Sequence, residues 1–201
     1  RLVFHKVDIC DSAAFRKVFE AHGTFHSAIH FAGLKSVGES TRLPILYYQN
    51  NLIGTFNLLN LLDEFNCHSV VFSSSATVYG AAEKMPITED TPVGSGITNA
   101  YGRTKYMIEE ILKDFYKSKT LDKDSSTDWT ITILRYFNPV GAHPSGKIGE
   151  DPSGSTFLYC RLFFIGNNVL TQQQQNSSQQ LDAVRCTSCC RTSTVSHRFW
   201  K

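Results

Sequence analysis

Apolar and polar residues along the first three quarters of the chain follow two alternating periods. Short apolar-rich runs have the length of β-strands, and they lie at residues 1–9, 27–33, 69–75 and 129–139. Longer stretches between them place apolar side chains three and four positions apart, which is typical of helices with one buried face. These helical stretches are residues 12–23, 44–66 and a segment that begins near Tyr101. Strands separated by helices favour parallel pairing, so we predict a doubly wound α/β sheet.

The character of the sequence changes after Gly154. The segment that follows is rich in glutamine, with a run at Gln172–Gln175, and carries few acidic residues. Low-complexity polar sequence does not bury enough apolar surface to fold. The apolar run "STFLYCRLFFIG", residues 155–166, is compatible with a buried strand or with a short helix. We therefore predict two parts, a partial Rossmann-like domain at 1–154 and a divergent, disordered tail at 155–201.

Composition and charge point away from several classes of partner. The chain has 201 residues and a formal net charge of +2, which gives no reason to expect a nucleic acid or an acidic membrane as partner. No apolar run reaches signal-peptide length or the roughly 20 residues that cross a bilayer, so we expect a cytoplasmic protein. Cys186 and Cys189 have the C-x-x-C spacing of zinc or redox sites. Since no second ligand pair stands at zinc-site spacing, we predict no metal site.

Residues suited to chemistry cluster where the predicted strands end. The carboxyl ends of parallel strands share one edge of the sheet, where ligands bind in doubly wound folds. The residues expected at this edge are Asp8, Ile9, Phe31, Lys35, Ser75, Ala76, Thr77, Tyr136, Phe137 and Asn138. The helix that starts near Tyr101 begins at the same edge, and Lys105 lies one turn later on the same helix face.

The pair of Tyr101 and Lys105 has two interpretations. A tyrosine and a lysine four places apart are commonly an ordinary pair on a solvated helix face. At the sheet edge, however, a lysine ammonium is expected to lower the pKa of a tyrosine from its reference value of about 10. Ser75 would share the proton of a substrate hydroxyl while a hydride leaves for a nicotinamide. The combined pattern favours a site that oxidises an alcohol, with Tyr101 as the base.

Four stretches carry a resemblance to a known family, and they read "AIHFAGLKSVGES", "VVFSSSATVYG", "NAYGRTKYMIEE" and "LRYFNPVGAHPSGKIGEDP". Over residues 1–154 the chain resembles the UDP-glucose 4-epimerases, which belong to the NAD-dependent epimerase/dehydratase family of extended short-chain dehydrogenases/reductases. Related enzymes that dehydrate or decarboxylate nucleotide sugars usually have an acid after the serine strand, whereas this chain has Ser75-Ala76-Thr77 there. The resemblance implies interconversion of UDP-galactose and UDP-glucose in galactose metabolism, with tightly bound NAD as cofactor and a UDP-hexose as substrate.

The resemblance also implies roles for individual residues. Tyr101 would be the base toward the sugar 4-hydroxyl, Lys105 would bind the nicotinamide ribose and lower the tyrosine pKa, and Ser75 would assist proton transfer. The residues implied to contact the cofactor are Asp8, Ile9, Phe31, Lys35, Lys105 and Tyr136. Those implied to contact the substrate are Ser75, Ala76, Thr77, Tyr101, Tyr136, Phe137 and Asn138. Hydride would pass to NAD, the 4-keto sugar would turn within the pocket, and hydride would return to its other face.

Two parts of the family pattern are missing from this sequence. The G-x-x-G-x-x-G turn that holds the pyrophosphate would precede Arg1, and the segment that binds the uridine diphosphate does not follow Gly154. We therefore expect a fragment, an incomplete doubly wound sheet without epimerase activity on its own. The alternative is a non-catalytic truncated isoform that pairs with full-length subunits. In the family the helices matching residues 44–66 and 99–118 form the dimer interface, which implies a homodimer.

Overall fold

The described residues of this computed structural model are 2–121, 128–138 and 145, together with the backbone of 162–165 and 194–195. They form a five-stranded sheet with the strand order β4-β1-β2-β3-β5. The strands are β1 (Ser27–His30), β2 (Ser69–Ser75), β3 (Thr130–Tyr136), β4 (Leu162–Ile165) and β5 (Thr194–Val195). Both β1 and β3 pair in parallel with β2 through helical crossovers. The predicted doubly wound arrangement is therefore confirmed at the centre of the sheet.

The two edge strands come from the part of the chain predicted to be a divergent tail. β4 pairs antiparallel with all of β1, and β5 pairs antiparallel with two residues of β3. β4 lies within the apolar run for which the sequence left strand and helix open, and the strand is the structure observed. The other residues of the tail, including Gln172–Gln175, and the predicted boundary at residue 154 lie outside the described residues.

Helices cover both crossovers and the segment before β1. They are α1 (Ser12–His22), α2 (Val37–Arg42), α3 (Pro44–Tyr48), α4 (Gly54–Glu64) and α5 (Ala100–Leu121). A π-helical turn, Gln49–Ile53, joins α3 to α4, so that one continuous helical stretch covers most of the predicted range 44–66. The short α2 was not predicted, because its polar sequence has no apolar stripe; its signal is the Ser36-x-x-Glu39 cap. Among the described helices, none combines the length and the apolar surface that a membrane crossing requires.

The buried core lies between the sheet and helices α1, α4 and α5. Its fully buried large side chains include Phe19, Leu58, Leu62, Phe72, Ile108, Leu112 and Ile131. The buried positions of α5 recur at three- and four-residue spacing, and this stripe includes the charged residues Lys105 and Glu109. Because burying a charged group costs free energy unless it is paired, these two residues are expected to have specific partners.

The predicted strand at residues 1–9 is wrong. Residues 2–8 form no strand, because no strand lies beside them among the described residues, and an unpaired strand leaves its backbone groups unsatisfied. The segment contacts the rest of the fold through Val7, which packs against the core, and through Ile9, which is buried and whose carbonyl accepts a hydrogen bond from Asn57 Nδ2 at 2.9 Å. Gly54 on α4 makes room for this residue, since a Cβ there would lie 2.5 Å from Ile9 Cδ1.

Candidate active site

The start of α5 brings Tyr101 and Lys105 to the end of β2. The Tyr101 phenol is hydrogen-bonded to the side chain of Ser75, the last residue of β2. Lys105 is buried, and its Nζ donates a hydrogen bond of 2.7 Å to the backbone carbonyl of Ser73. The same Nζ lies 5.8 Å from the centre of the Tyr101 ring. The structure thus brings together the three residues predicted to be catalytic.

Local sequence explains why the phenol reaches the serine. Asn99 caps the start of α5, its Oδ1 accepting a hydrogen bond from the Gly102 N–H at 2.8 Å. Ser75 Oγ accepts a hydrogen bond from Thr77 N–H at 3.3 Å and begins a 3₁₀ turn, Ala76–Tyr79. A Cβ on Gly102 would lie 2.8 Å from Ile97 Cγ2 and 3.1 Å from Thr77 Cβ, so a larger residue there would require its neighbours to shift.

The net shift in the pKa of Tyr101 differs in direction from the predicted one. Burial raises this pKa above its ordinary value of 10.0, while the hydrogen bond from Ser75 and the charge of Lys35 act in the opposite direction without cancelling it. The charge of Lys35 favours the phenolate. The effect that the sequence analysis assigned to Lys105, whose Nζ lies 5.8 Å from the centre of the Tyr101 ring, stays a prediction.

The loop after β1 is held by a buried asparagine that the sequence analysis missed. Asn51, in the π-helical turn, accepts a hydrogen bond from Leu34 N–H at 2.8 Å and donates one of 3.1 Å to the Leu34 carbonyl. Its Nδ2 also donates a hydrogen bond of 3.0 Å to Thr104 Oγ1 on α5. Asn51 thereby ties the loop that carries Phe31 and Lys35 to the helix that carries Tyr101. The available signal was a polar residue at a buried position of an apolar stripe.

Other predicted site residues differ in their exposure and in their contacts. Tyr136 lies beside Ser75 in the register of the parallel ladder and is half-buried, whereas Phe137 and Asn138, which follow it, are exposed. The Thr77 Oγ1 is buried, with no hydrogen-bond partner in the described part of the chain. Asp8 is exposed, and its Oδ1 accepts a hydrogen bond from Cys10 N–H at 2.9 Å, which is the contact of a turn former.

Metal ligands are not grouped in the part of the chain that the structure describes. No cluster of three or more histidine, cysteine or acidic side chains is placed to hold a metal ion there. The C-x-x-C pair at Cys186 and Cys189 lies outside the described residues.

A buried histidine lies close to the candidate site. His30, at the end of β1, is 2% exposed, and its Nε2 is 2.9 Å from Thr55 Oγ1. Burial, and secondarily the charge of Lys105, lowers the pKa of His30 from 6.5 to about 3. The imidazole is therefore neutral throughout the physiological pH range.

We expect His30 to make the folded chain less stable in acid. Between pH 6.5 and about 3 the unfolded chain binds a proton at this residue and the folded chain does not. The free energy of unfolding therefore falls with decreasing pH, by up to about 1.4 kcal/mol per pH unit from this group. Urea unfolding from pH 7 to pH 4 measures the slope, which should be shallower in His30→Gln and unchanged in His26→Gln, a variant of an exposed histidine. Equal slopes for wild type and His30→Gln would contradict the assignment.

The geometry first defines a class of protein. A parallel doubly wound sheet, a serine at the carboxyl end of its central strand and a Tyr-x-x-x-Lys helix against that serine define a short-chain dehydrogenase/reductase type of domain. Residues 1–158 match the family described as "NAD dependent epimerase/dehydratase family", and the chain belongs to this family.

The relatives in this family are epimerases that are considerably longer than the chain. UDP-glucose 4-epimerase of Bacillus subtilis (strain 168) is 50% identical over 153 residues, which are 76% of this chain and 42% of that protein. UDP-glucose 4-epimerase 2 of Arabidopsis thaliana is 49% identical over 175 residues, which are 87% of this chain and 44% of that protein. The chain thus spans less than half the length of these relatives.

Solved structures agree with the sequence relatives. The UDP-glucose 4-epimerase of Bifidobacterium longum, in complex with NAD⁺ and UDP, is 51% identical with a TM-score of 0.67 over 75% of this chain and 42% of that chain. The enzyme of Stenotrophomonas maltophila, with bound NAD and formylated UDP-arabinopyranose, is 39% identical with a TM-score of 0.66 over 76% of this chain and 42% of that chain. The predicted Rossmann-like fold and the family resemblance are both confirmed.

Proposed function

We propose that the chain carries the catalytic residues of a UDP-glucose 4-epimerase, which interconverts UDP-galactose and UDP-glucose by transient hydride transfer to NAD through a 4-keto sugar. The observation that supports this proposal is the hydrogen bond between the Tyr101 phenol and Ser75 at the carboxyl edge of the sheet. Similarity to UDP-glucose 4-epimerases that are 39–51% identical, two of them crystallised with NAD, supports the choice of cofactor and substrate class.

The proposed mechanism assigns proton handling to Tyr101. Its phenolate accepts the proton of the sugar 4-hydroxyl, and Ser75 orients that hydroxyl through the same hydrogen-bond network. Because burial raises the pKa of Tyr101, positive charge is needed to make the phenolate accessible, and the charge of Lys35 acts in that direction. The Nζ of Lys105 is fixed by its hydrogen bond to the Ser73 carbonyl and lies 5.8 Å from the centre of the Tyr101 ring, and we place a ribose hydroxyl of the cofactor beside it.

The residues at the sheet edge fit a dinucleotide. When bound, NAD supplies the acceptor for the hydride at C4 of the sugar. Phe31 offers an exposed ring and Lys35 a cation on the loop fixed by Asn51, which suits a stacked base and a phosphate. Tyr136 lies beside Ser75 on the adjacent strand, where we place the nicotinamide end of the dinucleotide.

Other predicted contacts stay part of the same proposal. Asp8 and Ile9 would contact the adenine end. Ala76, Thr77, Phe137 and Asn138 would line the sugar pocket, in which the buried Thr77 hydroxyl has a hydrogen bond to offer. The division of the chain at residue 154 and the cytoplasmic location remain predictions.

A graft tests the function directly. Residues 2–138 of this chain replace the corresponding segment of the Bifidobacterium longum enzyme, and the purified protein is assayed for NAD content and for conversion of UDP-galactose. We expect bound NAD and conversion to UDP-glucose, whereas the 201-residue chain assayed alone is expected to show no activity. A folded graft that holds NAD but converts no substrate would refute the proposed catalytic assignment.

We also propose a homodimer through the outer faces of α3, α4 and α5. Large apolar side chains on these elements and on the π-helical turn are 39–65% exposed, and they are Ile45, Leu46, Ile53, Phe56 and Met107. Exposed apolar residues grouped on neighbouring helices are typical of subunit interfaces.

Disruption of this surface is expected to yield monomers. Ile45→Lys combined with Phe56→Lys places two charges on the proposed interface, and sedimentation velocity of the graft should shift from dimer to monomer. Met85→Lys is the control, since Met85 is 78% exposed and lies in the loop after β2. Unchanged sedimentation of the double variant would place the interface elsewhere.

A further inference from the structure

A buried carboxylate lies one turn beyond Lys105 on α5. Glu109 has 0% exposure, although a carboxylate in the interior is costly unless it is paired and hydrogen-bonded. It faces the sheet because it shares the helix stripe of Tyr101 and Lys105, at four-residue intervals. None of the proton-transfer or binding roles proposed above uses this residue.

Its partners come from both strands that border the site. Ser74 Oγ donates a hydrogen bond of 2.5 Å to Glu109 Oε1. Arg135 donates from Nε to Oε1 at 3.1 Å and from Nη2 to Oε2 at 2.8 Å, which makes a two-pronged pair. A third nitrogen of the same guanidinium, Nη1, donates to the Tyr79 hydroxyl at 3.1 Å.

Each partner is attached to a proposed site residue. Ser74 precedes Ser75 on β2, and Arg135 precedes Tyr136 on β3. Tyr79 ends the 3₁₀ turn that begins with Ala76. We propose that Glu109 is a positioning residue, whose contacts with Ser74 and Arg135 set the height of α5 against the sheet and thereby hold the Tyr101 hydroxyl on Ser75.

Two bonds at successive turns explain how the helix is fixed. Lys105 bonds the backbone of Ser73, and Glu109, one turn later, bonds the side chain of Ser74. One such bond allows the helix to pivot about it, whereas two bonds about 6 Å apart along the helix axis fix both its height and its tilt. Tyr101 lies one turn before Lys105, at the end of the helix beyond both bonds. A small tilt of α5 would therefore lengthen the bond between the Tyr101 hydroxyl and Ser75.

The test uses a variant that changes no charge. Ser74→Ala in the 201-residue chain removes one donor to Glu109 and leaves Glu109, Arg135 and Lys105 in place. The Tyr101 ionisation is followed by NMR of the chain labelled with ¹³Cζ-tyrosine, assigned with Tyr101→Phe, over the pH range in which circular dichroism is native. We expect the acid dissociation constant of Tyr101 to fall about threefold to tenfold, the size of one weakened net hydrogen bond. Ser73→Ala, which keeps the backbone carbonyl that Lys105 uses, is the control and should titrate like the wild type.

The outcomes separate positioning from simple stabilisation. If Ser74→Ala lowers stability but leaves the Tyr101 titration unchanged, Glu109 is a structural ion pair and the inference is overturned. If Ser74→Ala does not fold, Ser74→Cys keeps the size of the side chain with a weaker donor, and the same decrease is expected. The titration needs no turnover, so the inference rests on the proposed function only for the catalytic role of Tyr101. An inactive graft would refute the epimerase assignment and leave the titration result intact.

Discussion

Replacement of Tyr101 with phenylalanine is expected to reduce kcat of the graft with UDP-galactose by about a thousandfold, within the range typical of a lost general base. The variant keeps the ring and its packing and loses only the hydroxyl that is bonded to Ser75. Steady-state kinetics should show the loss in kcat with KM changed little, because substrate binding does not depend on this proton transfer.

Tyr106→Phe is the matched control for this experiment. Tyr106 lies on the same helix, and its ring packs against Gly94 rather than against Ser75. Removal of its hydroxyl should leave kcat within about twofold of the wild-type graft, since surface changes away from a site have small effects. If Tyr101→Phe kept more than a tenth of the activity, another group would be the base and the mechanism proposed above would be wrong.

Replacement of Glu109 with glutamine is expected to lower the free energy of unfolding by about 3–5 kcal/mol, the usual cost of removing one partner of a buried ion pair. Glutamine has nearly the same shape, so the cost comes from the unpaired charge of Arg135, whose side chain is 20% exposed, and not from a cavity. Equilibrium unfolding in urea at pH 7 measures the change. This loss is a large share of the total stability of a typical domain.

Two further variants identify the cause of that loss. Glu110→Gln alters the next residue of the same helix, whose carboxylate is 45% exposed and paired with Lys113, and should cost less than about 0.5 kcal/mol. Glu109→Gln combined with Arg135→Met removes both buried charges and should be more stable than Glu109→Gln alone. A double variant as unstable as the sum of its parts would mean that the two side chains do not interact in the folded chain.

The centre of the fold is predictable from sequence because the apolar residues of each central strand and helix recur at the period typical of that structure. β2 has the predicted bounds, Ser69–Ser75, because this apolar run pairs with a strand on each side, β1 and β3. The segment at residues 1–9 has a similar apolar pattern, yet it is not a strand, because a strand also needs a neighbour and apolar pattern alone does not reveal one. The tail strands β4 and β5 depend in the same way on which sheet edges are available.

Sequence predicts which residues meet at the candidate site better than it predicts their pKa values. Spacing alone brought Tyr101, Lys105 and Ser75 together, because the helix period and the common edge of parallel strands are general geometry. The raised pKa of Tyr101 depends on the depth of burial, which four-residue spacing does not encode. Glu109 was missed for a related reason, since its function depends on partners from two strands distant in sequence.

The π-helical turn at Gln49–Ile53 makes the length of its helical stretch a constraint on evolution and on engineering. Each added or deleted residue rotates everything on one side of an insertion by about 100° around the axis. Asn51 lies within the turn, Ile45 and Leu46 before it and Phe56 after it. Deletion of one residue here would therefore turn the Asn51 amide away from the Leu34 loop. The same deletion would also misalign the exposed apolar residues on the two sides of the turn. Tolerance to indels should be lower in this stretch than at residues 83–86 of the loop between β2 and α5, which are exposed.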